Sequence, residues 1–249
     1  MALNARNMPQ KNNGPRQPAM EAGTYPARLV QVIDFGVQEQ RPYKGVAKPP
    51  CQTAWMTYEF LDEFCIDEEG QPQEDKPRWL GEELPIYSLE ADLAKSTKRY
   101  YALDPEEVHG GDFTLLVTST CMVTINQYPD KKNPGEFKNG ISSVTAMRPK
   151  EAAKAPELVN EPKVFVIDNP DLEVFKSLPE WMQNKIKNGL EFAGSPLDEA
   201  LKGPIKPAAQ APAAKPKPNR QAPQQGAMDE QNANDDDDVP LDEDGNPIW

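Results

Sequence analysis

Histidine and cysteine are scarce in this chain, with one His and three Cys in 249 residues. His109 has no second imidazole to share a metal ion, and Cys51, Cys65 and Cys121 show no C-x-x-C spacing, so a tetrahedral zinc site is not expected. An odd number of thiols suits a reducing compartment, which points to the cytoplasm. No stretch approaches the ~20 apolar residues that cross a bilayer. The segment Met1 to Met20 has no apolar core between its charges, so neither a membrane span nor a secretion signal is expected. The phosphate-cradling and zinc-protease motifs G-x-x-x-x-G-K-[ST], G-x-G-x-x-G and H-E-x-x-H are missing, and the "HGGD" around His109 has no obvious partner group. The sequence therefore predicts a protein that is not an enzyme and has no cofactor and no metal.

Proline and acidic charge are abundant: 27 Pro and a net charge of −13. The charge is unevenly spread. Met1 to Met20 carries +3, Ser195 to Ala227 carries +3, Met228 to Trp249 carries −9, and the stretch Asp62 to Glu83 alone carries −7. An acidic total thus leaves room for a nucleic-acid surface without arguing for one. The C-terminus, "NDDDDVPLDEDGNPIW", sets acids against apolar knobs twice. Asp235, Asp236, Asp237 and Asp238 run into Val239, Pro240 and Leu241, and a second acidic group runs into Pro247, Ile248 and Trp249. Like charges repel and offer no apolar face, so this segment is expected to be a disordered tail. Its apolar anchors beside charge suit capture by a partner rather than mere solubility.

Five segments follow from composition: a disordered basic arm over 1–22, a β domain over 23–149, a strand plus helical appendage over 150–193, a Pro/Ala-rich linker over 194–227 and the acidic tail over 228–249. Within the β domain a first strand runs from Tyr25 to Phe35 and is closed by Gly36. A second, "TAWMTYEFL", puts Ala54, Met56, Tyr58 and Phe60 on one face and leaves Trp55 on the other, where it is either covered by the fold or presented to a ligand. An acidic, turn-rich excursion follows, and a third strand runs from near Trp79 to Tyr87. Ser88 is expected to cap an amphipathic helix through Leu103, with Lys95, Lys98 and Arg99 on its solvated side. "DFTLLVTSTCMVTINQY" alternates as one long strand, and "ISSVTAM" is the last. Beyond it come a short strand "KVFVID" and a helical pair whose Trp181 is expected to pack the appendage on the domain, although such a segment could equally pair protomers into a homo-oligomer.

The order strand, strand, strand, helix, strand, strand resembles the oligonucleotide/oligosaccharide-binding (OB) fold, a five-stranded Greek-key barrel with one helix between strands 3 and 4. The fold class expected is therefore mainly β and OB-like, with a small helical appendage and a disordered tail. The resemblance implies a ligand site across strands two and three, between the loops joining strands one to two and four to five. Those loops are basic and aromatic here, and they nominate Arg41, Tyr43, Lys44, Lys48, Tyr128, Lys131, Lys132, Phe137 and Lys138, with Trp55 between them, as DNA-binding residues. The tail is similar to the C-terminal peptide of bacterial single-stranded-DNA-binding proteins, and their phage counterparts also end in acid plus an aromatic. "DDDDVPL" is internal and a second such segment follows it, so either could be the one gripped. Together these likenesses imply a phage-type protein in the host cytoplasm that coats single-stranded DNA during replication or recombination. Its tail would recruit polymerase, helicase/primase or nuclease partners. The alternative is a β-rich virion or assembly protein with a partner-binding tail.

Overall fold

A computed structural model describes residues 17–43, 45–130 and 133–202, and the expected tail, most of the linker and most of the basic arm lie outside the described residues. Among the described residues the chain is mainly β. Its strands are β1 (Gly23–Gln38), β2 (Cys51–Ile66), β3 (Pro72–Pro85), β4 (Thr120–Pro129), β5 (Phe137–Ala146) and β6 (Lys163–Phe165). Five short helices accompany them: α1 (Lys95–Leu103), α2 (Pro149–Ala152), α3 (Leu172–Ser177), α4 (Glu180–Lys187) and α5 (Pro196–Lys202). The sheet follows the antiparallel path β3-β2-β1-β4-β5, with β6 added in parallel to β1. Six strands thus stand where five were expected, because the short strand of the appendage joins the main sheet. Cα atoms of β3 and β5 come within 8 Å of one another, and α1 packs against both.

The sheet has an apolar cluster on each face. On the inner face Leu29, Met56, Tyr58, Phe60, Leu84, Val123 and Ile125 pack with Tyr100 and Leu103 of α1. On the outer face Ile33, Phe35 and Trp55 meet Phe165, Phe175, Met182, Ile186 and Leu197 from the C-terminal segment. Each fully buried large side chain contributes about 1.5–3 kcal/mol, so the appendage is stitched on by a core of its own. This explains why "LVQVIDF" in β1 reads as an almost continuous apolar run: it is covered on both sides. Two register shifts, at Leu29/Gln31 and Asp34/Gly36, let β1 bend between its neighbours. Gly36 sits at the second with φ +72°, so the residue expected to close the strand lies inside it.

Several expectations need correction. The acidic excursion is no loop: β2 continues to Ile66 and β3 begins at Pro72, so the stretch is a two-stranded hairpin arm reaching past the start of β1. The helix begins at Lys95 rather than at Ser88, because Ser88 instead accepts from Glu90 N at 3.3 Å and from Ala91 N at 2.9 Å, holding a turn. The long fourth strand is interrupted. Phe113–Leu116 is a 3-10 turn capped by Asp112, whose carboxylate accepts from Thr114 N and Oγ1, and Thr118 turns the chain at φ +78°. That is a costly conformation for a β-branched residue. It is held by a 2.8 Å bond from Thr118 N to Leu29 O and another from Arg28 Nη1 to Thr118 O. Arg99 is not solvated: it is 3% exposed and ion-paired to Glu82. The folded part also extends beyond 193, since α5 buries Leu197, and it begins before 23. Met20 is 6% exposed, and Asn139 both accepts from its N–H and donates to its carbonyl.

Candidate nucleic-acid interface

The β1–β2 connection carries the first group of nominated residues. A bridge between Tyr43 and Val46, with 2.8 Å bonds in both directions, folds it into a tight turn with Gly45 at φ +81°. Lys48 Nζ lies 5.3 Å from the centre of the Tyr43 ring, a cation–π contact that presents a charge and an aromatic together. Gln40 ties the loop down, donating to Pro49 O and accepting from the Tyr87 hydroxyl at 2.9 Å. Tyr87, 40% exposed two residues past β3, thereby joins the group, and Arg41, next to Gln40 in the chain, is exposed. Lys44 lies outside the described residues.

The β4–β5 connection carries the second group. Tyr128 stands opposite Lys138 in the ladder and Pro129 opposite Phe137, which is 52% exposed. Lys138 is drawn to the buried Asp130 carboxylate at 3.4 Å, and Asn133 also donates to that carboxylate. Part of the positive charge expected here is therefore spent internally. Lys131 and Lys132 lie outside the described residues.

The ladders separate these two groups. The β1–β2 connection leaves the sheet at the Gln38/Cys51 pair, whereas β4 pairs with the opposite end of β1, Ile125 facing Gly23. The loops thus flank β1 at its two ends, about 50 Å apart along the strand contour, and β1's two register shifts shorten the direct path. Trp55 does not bridge them. It is 5% exposed, lying on Gly81 of β3 and under Trp181 of α4, with its Nε1 donating to Thr57 Oγ1 at 3.0 Å. Of the two alternatives open for it, the structure shows the covered one.

Two aromatics that sequence reasoning did not nominate are exposed on the same outer face. Trp79, opposite Glu59, is 45% exposed, and Trp181 is 42% exposed. Parity could have found the first, since Trp79 shares it with Gly81 and Glu83 and opposes Leu80 and Leu84. No such signal marks Trp181, whose neighbour is set by tertiary packing. Two acids on this face are held by partners, Glu59 by neutral donors that leave its charge in place and Glu83 by a cation. The Glu59 carboxylate accepts from Val159 N, Asn160 N and Asn160 Nδ2, and both oxygens of Glu83 lie 2.7 Å from Lys185 Nζ. At the seam with the appendage, burial raises the Asp34 carboxyl above its ordinary value, against hydrogen bonds from Gly36 N, Ile167 N and the Gln52 amide.

Among the described residues no group of His, Cys, Asp and Glu could hold a metal ion, and no helix is long and apolar enough to cross a membrane. The tail residues Asp235 to Leu241 and Pro247 to Trp249 lie outside the described residues. Compared with protein-family models and with curated protein sequences, the chain matches none.

Proposed function

We propose that this protein binds single-stranded DNA without sequence preference and recruits replication or recombination enzymes through its acidic C-terminal segment. Bases would stack on aromatic side chains while Lys and Arg hold the backbone. The observation that carries the reading is the strand path β3-β2-β1-β4-β5 with α1 between β3 and β4 in the chain. We read this as an OB-like barrel. Its β1–β2 connection, where such barrels grip oligonucleotides, here holds Arg41, Tyr43 and Lys48 with the cation over the ring.

A fluorescence-anisotropy titration with an oligothymidylate of roughly 16 nucleotides, the upper end of site sizes for one OB fold, tests it. Affinity should fall with added salt, log K declining by about 0.7 per neutralised phosphate for each unit of log salt concentration. Tyr43→Ala should cost about 1–3 kcal/mol of binding. A chain that binds no single strand even at low salt would sink the reading in favour of an assembly protein.

A further inference from the structure

The hairpin arm formed by the far ends of β2 and β3 has no strand beside it on the β1 side. Pairing between β1 and β2 stops at Ala27 and Phe60, whereas β3 follows β2 out to Ile66. A lone two-stranded ribbon is marginal in water, and this one is loaded with like charge. From Asp62 to Arg78 seven acids stand against Lys76 and Arg78, a net −5. Among the described residues no Lys or Arg is ion-paired to any of the seven, although Glu82 and Glu83 further along β3 are both paired. At the tip, Asp67 spends its carboxylate on the turn, accepting from Glu69 N and Gln71 N, and the side chains of Glu68 and Glu69 are left exposed. Glu74 and Asp75 are exposed on the returning strand.

The chain itself delivers a counter-charge to this place. The Gln17 amide engages both polar backbone groups of Ile66, Nε2 donating to Ile66 O and Oε1 accepting from Ile66 N, each at 2.8 Å, as a neighbouring strand would. Three residues on, Met20 is buried and bonded to Asn139 in both directions, and its carbonyl also accepts from Gln127 at 2.8 Å. Residues 17–20 are therefore a strap that ties the arm to β4 and β5. Arg16, one Cα spacing of about 3.8 Å before Gln17, is held at the foot of the acidic turn. Residues 1–16 carry Arg6, Lys11 and Arg16 and no acid, +3. Lys11 is six residues from Gln17, a reach of about 20 Å that takes in the tip.

We infer that the hairpin arm is the docking surface for residues 1–16 of its own chain, with Arg16, Lys11 and Arg6 neutralising the acids around the tip. The contact needs no nucleic acid and stands apart from the single-strand reading. Charge alone would admit any cation, but the place of Gln17 names the occupant, because this basic segment starts at the arm. The acids of 228–249 follow α5 only after a long stretch of sequence, whereas Arg16 adjoins a residue already bonded to Ile66. Each exposed pair is weak, and the short tether makes several of them count together. Once docked, the segment is withheld from other polyanions.

Carbodiimide coupling of the full chain, which joins an amine to a carboxylate only where the two touch, tests this on an equal mixture of unlabelled and heavy-nitrogen-labelled protein read by peptide mass spectrometry. Lys11 should link to Glu68, Glu69, Glu74 or Asp75 within one chain, and the yield should fall between about 0.05 M and about 0.5 M salt as screening sets in. Gln17→Ala should lower the yield by loosening the strap. A variant carrying Glu68→Gln, Glu69→Gln, Glu74→Gln and Asp75→Asn changes only exposed side chains and should melt like the parent. Trypsin should cut it after Lys11 about 5- to 10-fold faster, the effect of losing two or three exposed pairs. No link to the arm at low salt overturns the docking surface, as do links from Lys11 to the acids of 228–249 in its place. Links found only between labelled and unlabelled chains overturn it as well, making the arm a contact between copies. Equal cleavage of the parent and the folded variant is the fourth result that would sink it.

Discussion

At the residue scale the most constrained group is Glu82, 1% exposed inside the sheet. Arg99 donates Nε to its Oε1 at 2.7 Å and Nη2 to its Oε2 at 3.2 Å, Lys95 Nζ lies 3.0 Å from Oε2, and the Tyr58 hydroxyl donates at 3.3 Å. Burial alone would raise this carboxyl, but Arg99 and Lys95 outweigh it and hold it below the usual range. A lowered folded value means that the pair's stabilisation is present above the unfolded value of about 4.3 and is lost as pH falls through the folded one. Glu82→Gln should therefore cost about 3–5 kcal/mol at neutral pH by stranding the Arg99 charge. It should also flatten the acid side of a stability–pH curve measured by urea unfolding. Asp34 works the other way, its raised value giving stability that fades as pH rises through it. Little of this was legible in one sequence. Helical phase groups Arg99 with Lys95 and Lys98, and only the inward parity of Glu82 on a neighbouring strand reveals the buried acid that draws Arg99 in.

At the scale of elements, a strand with one clearly buried face was readable and its half-buried extension was not. Ala54, Met56, Tyr58 and Phe60 announce β2 by alternation, whereas in its continuation Asp62 and Glu63 break the apolar pattern and the run into acids and turn residues resembles a loop. Parity also misled. Phe113, Leu115 and Val117 keep step with Cys121 and Val123, yet local capping by Asp112 wins, and Leu115 is left 54% exposed. The appendage was foreseen as a short strand and a helical pair packed on the domain through Trp181, but not as part of the main sheet. Its pairing through β6 and its shared core with β1 make it one unit with the sheet. Ile186, fully buried in that core, supplies the check: Ile186→Ala should cost about 2–5 kcal/mol. Circular dichroism and tryptophan fluorescence should still report a single coincident unfolding transition. Two separated transitions would mean that the appendage is an independent flap.

At the scale of the whole molecule, charge and tether length act together. The segment Met228 to Trp249 carries −9 and follows a Pro/Ala-rich stretch of sequence after α5. A flexible coil of that length would span about 30 Å, and a polyanion on such a tether would compete with DNA at high effective concentration. Removing residues 228–249 should raise affinity for single-stranded DNA, most at low salt, and abolish capture of replication enzymes in a pull-down. Changing Ile248 and Trp249 to Ala should leave the DNA effect and still weaken a partner that grips the end. A truncated chain with unchanged low-salt affinity and unchanged capture would reduce the segment to a solubiliser. The manner in which β1 is completed bears on where this protein can be cut. One side of β1 is bonded to β4 as far as Arg28, to Thr118 and Ser119 at Leu29, and to β6 from Gln31 to Ile33. A fragment ending near 149, where composition suggests a domain boundary, would bare that side together with Ile33, Phe35 and Trp55. An unprotected strand next to an apolar surface is a template for its own copies, so such a fragment should self-associate, and a well-behaved piece must keep β6 and the helices that cover Ile33, Phe35 and Trp55 through Leu197.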